Sequence, residues 1–320
     1  MRTTLVCALA VALPLIAADW SPRAAADYLD ARQKAWLEWP TAKAPGGVCI
    51  SCHTNMTYLL ARPALRAVLH EPDPTPYETA LLASLRERVS KREGKQLFPN
   101  FAKEAIAAQG AGVESILAAL FLKSDAAFDR LWSLQNKNAW PWFQVDLDPW
   151  ETTDSPFFGA ALAAYAIRTG PAQYRDRLPA LTAYLESAQA AQPLHNRLML
   201  IPATGAAPKK LIDEILALQQ PDGGWTRESL GPWKPRPDAI PSTGSDAYAT
   251  AFTAWCLEQS GTTNATARTW LRSHQDPEHG SWPSASMNKR YPAGGMQDQF
   301  MTDAATAFAA LVLSGHTPPR

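Results

Sequence analysis

The sequence predicts an all-α fold built from helical hairpins, on three observations. From Tyr28 onward, Ala- and Leu-rich runs recur with helical spacing, at about 77–92, 112–122, 125–135, 156–168, 178–191, 194–204, 208–219, 245–259, 264–274 and 303–314. No sustained alternation of period two marks a sheet. A unit made of one helix, a Trp-bearing loop and a second, Ala-rich helix also recurs along the chain. Pro- and Gly-rich stretches such as "EPDPTP", "GPWKPRPDAIPSTG" and "YPAGG" punctuate the runs.

The chain is 320 residues long, enough for one large domain or two smaller ones. It is 46% hydrophobic and 19% charged, with a formal net charge of zero, so the basic excess of a nucleic-acid partner is missing. Residues 1–18 read as a secretory signal: Arg2 supplies the positive start, Leu5 to Ile16 the apolar stretch, and Ala17-Ala18 the small-residue end. The apolar run is short for a membrane span, so the expectation is a periplasmic protein with no integral span once the signal is removed. The remaining chain divides into an N-terminal helical segment, 19–123, and a repeat region, 124–320.

Without the signal, the cysteines are Cys49, Cys52 and Cys256, too few for a disulfide scaffold. Cys49-Ile50-Ser51-Cys52-His53 is a C-x-x-C-H motif, the attachment signature of c-type haem. Two thiols can form thioethers to the macrocycle, and the adjacent imidazole lies ready as proximal iron ligand. A zinc site would need a second ligand pair, and a thioredoxin-like motif would need a βαβ setting. A disulfide across two intervening residues would be strained. The expected cofactor is therefore one covalently bound haem c on Cys49 and Cys52, with His53 proximal.

The sixth iron ligand is less direct. Between Thr54 and Leu122 the only methionine is Met56, too close to His53 to reach the opposite haem face, and the only histidine is His70. Met287, Met296, Met301, His274 and His279 are further candidates, but "AAQPLHNRLMLIPATG" is preferred. There Pro193 opens a helix that puts His195 and Met199 four residues apart on one face. His195 is the first candidate, Met199 the second. A histidine on an apolar helix can equally be a core residue, and an open coordination position is a further alternative.

The repeat is clearest near the C-terminus. "ILALQQPDGGWTRESLG" precedes "SDAYATAFTAWCLEQSG"; "WLRSHQDPEHGSWPSASMNK" precedes "TDAATAFAALVLSG"; and a weaker copy, "LWSLQNKNAWPWF", precedes "TDSPFFGAALAAYAIRTG". Gln219 and Gln275 can bond the loop that follows, Gly223 and Gly280 can make its turn, and Trp225 and Trp282 can pin it on the outer helix. Asp154, Asp246 and Asp303 stand where a capping side chain would begin each inner helix. These Gln…Gly-x-Trp repeats resemble those of the squalene–hopene cyclase and prenyltransferase superfamily over about residues 125–315. The resemblance implies an α/α toroid of about five or six hairpins, here with an N-terminal haem-attachment segment. The whole is similar to haem-bearing, squalene-cyclase-like bacterial proteins.

The family's chemistry does not carry over. Its D-x-D-D acid is missing, since Asp146-Leu147-Asp148 runs into Pro149-Trp150, and no D-D-x-x-D diphosphate site appears. Asp146, Asp148, Glu151 and Asp154 can be a solvated loop with a helix cap, or an acid–base pair at the toroid mouth. Trp140, Trp142, Phe143, Trp150, Phe157 and Phe158 around them can be packing or the wall of an apolar pocket. The expected function is thus an exported monohaem cytochrome serving electron transfer or haem redox chemistry, with redox partner proteins. The alternatives are an enzyme acting on a small apolar, isoprenoid ligand, and a scaffold subunit of a redox complex.

Overall fold

The computed structural model describes residues 19–90 and 103–315, so the expected signal segment lies outside the described residues. The regular structure of the described residues is nearly all helix, as the sequence predicts. The exception is a hairpin in which Lys43-Ala44 pairs antiparallel with Gly47-Val48. Gly46, at φ +79°, turns it.

Five longer helices are buried around almost their whole circumference: Asn55–Val68, Glu104–Leu122, Ser155–Thr169, Ala247–Glu258 and Phe300–Ser314. Helices without a polar face belong inside a core. Glu104–Leu122 is long and apolar enough to cross a membrane, yet most of it is covered by its neighbours. Asn55–Val68 packs on Phe300–Ser314, which packs on Ala247–Glu258, which touches Leu200–Thr204. Leu200–Thr204 packs on Ser155–Thr169, and that helix on Glu104–Leu122. Pro76–Ser90 then joins Glu104–Leu122 back to Asn55–Val68. Outside this ring lie Pro22–Glu38, Asp125–Ser133, Leu178–Ala188 and Ala265–Ser273.

The repeat works as its residues suggest. Gln219 Nε2 donates to Gly223 O at 2.7 Å, and Gln275 Nε2 to Gly280 O at 2.8 Å. Both glycines have positive φ, +95° and +73°. The indole N–H of Trp225 donates to Ile215 O at 2.8 Å, and that of Trp282 to Leu271 O at 2.8 Å. Trp140 does the same to Leu131 O at 2.7 Å, so the weaker third copy is real.

Each loop also grips the next outer helix. Gln219 bonds Asn264, whose side chain caps Ala265–Ser273. A Cβ on Gly223 would lie 2.7 Å from Thr266 O on that helix. Gln275 accepts from Ser21 N at 2.6 Å and donates to Ser21 O at 3.0 Å, and Ser21 caps Pro22–Glu38. A Cβ on Gly280 would lie 2.4 Å from Ala24 O. The last loop therefore treats the first helix as the next repeat, which closes the ring. The C-x-x-C-H segment is then the loop of a hairpin, between outer helix Pro22–Glu38 and inner helix Asn55–Val68.

Some expectations change. Asp246 does cap its helix, accepting from Ala249 N at 3.0 Å. Asp154 stands at the cap position but makes no capping bond. Asp303 lies inside the first turn of Phe300–Ser314 and is fully buried, because it is claimed by Arg32 rather than by backbone amides. The single helix expected at 194–204 is two short ones, Leu194–Leu198 and Leu200–Thr204.

Truncating Trp282 tests the pinning role. Trp282→Ala should cost about 3–5 kcal/mol by urea denaturation. Trp282→Phe should cost about 1–2 kcal/mol, since most packing stays and the bond to Leu271 is lost.

Candidate functional site

Inner helices Asn55–Val68, Glu104–Leu122 and Phe300–Ser314 bring their N-terminal ends to one end of the ring, and the site lies there. The loop carrying the C-x-x-C-H is fixed from several sides. Trp36 donates to Cys49 O at 3.0 Å, and Arg88 Nη2 to Val48 O at 2.8 Å. Glu114 accepts from Ile50 N at 2.9 Å and pairs with Arg88 at 3.0 Å. Ser51 Oγ receives Thr54 N at 3.1 Å and Asn55 N at 3.2 Å, which starts the inner helix.

Two cavities meet at this loop. The larger, about 380 Å³, is bordered by Cys49, Cys52, His53, Glu114 and Glu151, with Trp36, Ile50, Ile106, Phe143 and Val145 as apolar wall. The smaller, about 100 Å³, lies beyond His53 and Glu151 toward Asp148, Asn288 and Met301. His53 and Glu151 border both. His53 stacks on Phe300 at 3.7 Å between ring centres, with Trp36 and Trp150 at 5.8 and 6.1 Å. Its Nδ1 meets Thr54 Oγ1 at 2.9 Å. Burial, helped by the Arg32 charge, pulls its pKa down to about 3, so the imidazole is neutral.

The carboxyls differ. Burial pushes Glu151 up to about 7, and no basic side chain pairs with it among the described residues. The Cys52 thiol lies 4.0 Å from Glu151 Oε1. Glu114 is likewise raised to about 7 by burial, but its oxygens are engaged by Arg88 and Ile50 N. Asp148 is a loop organiser, accepting from Lys234 N at 2.8 Å while Asn288 bonds its backbone on both sides. Asp146 is exposed. Of the acidic cluster read in the sequence, Glu151 faces the larger cavity. Burial raises the Cys52 thiol well above its usual range and Cys49 to about 12, so both are protonated thiols.

Cys49, Cys52 and His53 thus come together on one cavity wall. The structure does not bring His195 or Met199 there. His195 is buried in the ring's core, stacked on Phe252 at 4.6 Å and Phe158 at 5.5 Å. Its Nε2 meets Tyr248 OH at 2.8 Å and its Nδ1 meets Asn196 Oδ1 at 3.1 Å. Both nitrogens are used, the state of a satisfied core histidine. Met199 is buried at the break between two short helices. His70 is exposed at a helix end. Of the other candidates, Met301 does border the smaller cavity, and Met296 Sδ receives Arg32 Nη2 at 3.0 Å.

These placements correct the expected electron-transfer cytochrome. Among the described residues no group of three or more His, Cys, Asp or Glu is placed to hold a metal ion. The two preferred distal ligands, His195 and Met199, are committed to the core. The titratable side chain that borders both cavities with His53 is instead Glu151, a buried carboxyl. The electron-transfer reading is set aside as the account of what this chain does.

No family model matches the chain, and no curated protein matches it. Among solved structures, a glycosyl hydrolase family 88 protein from Bacteroides vulgatus is similar over 94% of this chain and 92% of its own. The identity is 13% and the TM-score 0.34, a likeness too slight to bear on chemistry.

Glu151 makes stability pH-dependent with a definite sign. Its folded pKa lies above the ordinary 4.5, so the folded state holds the proton more tightly than the unfolded state. Its contribution is full below about pH 4.5 and is lost as pH rises through about 7. Glu151→Gln should flatten the fall in unfolding free energy across that window by up to about 3 kcal/mol, read from urea titrations at a series of pH values.

Proposed function

We propose that the chain is an enzyme working at the Cys49–His53 end of the ring, with Glu151 as its proton-transferring group and a small apolar molecule as substrate. The observation that carries this reading is Glu151 itself, a buried carboxyl whose pKa is raised to about 7, bordering both cavities and with no cation paired to it among the described residues. A group whose pKa lies near the working pH can give a proton and take one back. Glu114 is less suited, because Arg88 and Ile50 N already hold its oxygens.

The substrate class follows from the wall. Trp36, Ile50, Ile106, Phe143 and Val145 offer hydrocarbon and aromatic surface, and the volume is that of a small-ligand site. The ring axis is packed with Tyr248, Phe252, Phe308 and Trp255, so the reaction belongs at the mouth and not in a lumen. The resemblance to cyclase and prenyltransferase toroids makes isoprenoid alcohols the first class to try, by analogy of fold.

Geraniol and farnesol serve as probes, with binding followed by tryptophan fluorescence and products by mass spectrometry. Saturable binding that Ile106→Trp abolishes is expected. Glu151→Gln should keep the affinity and lower turnover by about 10²–10⁴-fold. Binding that ignores the Ile106 substitution, or turnover that ignores Glu151, overturns the reading.

A covalently bound haem is a separate proposal for the same cavity. In its favour, the three motif side chains border one space and His53 Nδ1 is held by Thr54. Cys49, Cys52 and His53 would hold the group, which when bound supplies a ligand-binding iron. A haem stain of the denatured chain, made in a periplasm with haem-c maturation, decides it. A stain lost in the Cys49→Ala, Cys52→Ala double variant supports attachment, and an unstained wild-type band rejects it.

A further inference from the structure

The chain of contacts behind His53 has one consistent assignment of its protons. Asp303 is fully buried and accepts from Arg32 Nε at 2.7 Å, Arg32 Nη2 at 3.1 Å and Tyr28 OH at 2.9 Å. It also accepts from Thr54 Oγ1 at 2.8 Å. A carboxylate paired with a guanidinium only accepts, and a threonine hydroxyl has a single proton to donate. That proton goes to Asp303. Thr54 Oγ1 can therefore only accept at its 2.9 Å contact with His53 Nδ1. Nδ1 must carry the imidazole hydrogen, which leaves the lone pair on Nε2.

We infer that Thr54 and Asp303 are positioning residues that hold His53 in its Nδ1–H tautomer and present Nε2 to the cavity as an acceptor for a substrate hydroxyl. The ring plane is set independently. Phe300 stacks on one face at an interplanar angle of 22°. Nε2 has no protein partner among the described residues, and the ring borders both cavities. An alcohol is the matching ligand class, its O–H donating to Nε2 and its hydrocarbon part on the Ile106 and Phe143 wall. The assignment of a substrate hydroxyl rests on the enzyme reading, whereas the tautomer does not.

The test is long-range proton–nitrogen NMR on the full chain labelled with ¹⁵N-histidine and expressed without haem maturation. His53→Gln identifies the His53 signals among the six histidines. Wild type and Thr54→Ser should show His53 almost wholly as Nδ1–H. Thr54→Val keeps the shape but removes the hydroxyl, and should shift the tautomer ratio about tenfold toward Nε2–H, with the other histidines unmoved. A wild-type His53 protonated on Nε2, or an unchanged ratio in Thr54→Val, overturns the inference. If Thr54→Val fails to fold, wild type and Thr54→Ser decide alone. No substrate enters, so failure of geraniol and farnesol to bind leaves this result readable. Conversely, geraniol titrated into wild type should move the His53 Nε2 signal, and binding without that movement overturns the hydroxyl contact.

Discussion

The pairing of Arg32 with Asp303 is the interaction on which the rest of this structure leans. It joins the first outer helix to the last inner helix, the seam where a ring of repeats must close. A buried ion pair does not stabilise by default, because the desolvation of both charges opposes their attraction. Here the penalty is offset by a full set of donors: Asp303 has Arg32, Tyr28 and Thr54, and Arg32 also reaches Met296 O at 3.0 Å. Removing either partner would strand a charge at the ring's seam. The same network reaches the Cys49–His53 loop through Thr54, so closure of the fold and orientation of the site share one set of hydrogen bonds.

The seam is an instance of a rule applied around the ring. A repeat loop with Gln, Gly and Trp has three jobs: the indole pins it to its own outer helix, the glycine allows close approach, and the glutamine grips the cap of the next outer helix. Pro22–Glu38 obeys the last two rules as receiver, with Ser21 in the place that Asn264 takes one repeat earlier. That makes the C-x-x-C-H a loop between an outer and an inner helix. Loops at this end of the ring lie beside the N-termini of inner helices, where functional groups can be displayed on a rigid scaffold.

Much of this was legible in the chain. Helix-period runs and the absence of period-two alternation showed the fold class, and the repeated Gln, Gly and Trp showed the tie that builds it. These signals are local, so they survive without knowledge of the fold. The site was legible in part. Cys49, Cys52 and His53 are adjacent in sequence and had to share a neighbourhood, and Glu151 stood within a cluster already singled out. Asp303 looked like a helix cap because its neighbours copy the pattern around Asp246. Its actual partner, Arg32, is 271 residues away, and no local signal marks it. His195 was misplaced for the same reason: its Tyr248 and Phe252 partners become visible only once the inner helices are assembled.

The contrast between His53 and His195 shows how the fold separates a usable imidazole from a structural one. Both are neutral, His53 at about 3 and His195 at about 4, because each is withdrawn from water. His195 spends Nδ1 on Asn196 and Nε2 on Tyr248, and stacked rings cover it. His53 spends Nδ1 on Thr54 and has no second hydrogen-bond partner on its ring among the described residues, and the ring borders two cavities. Burial alone would have made two core residues. What sets His53 apart is that the ring is closed by Arg32 and Asp303 beside it, where Thr54 holds one edge of the imidazole and the ring borders two cavities.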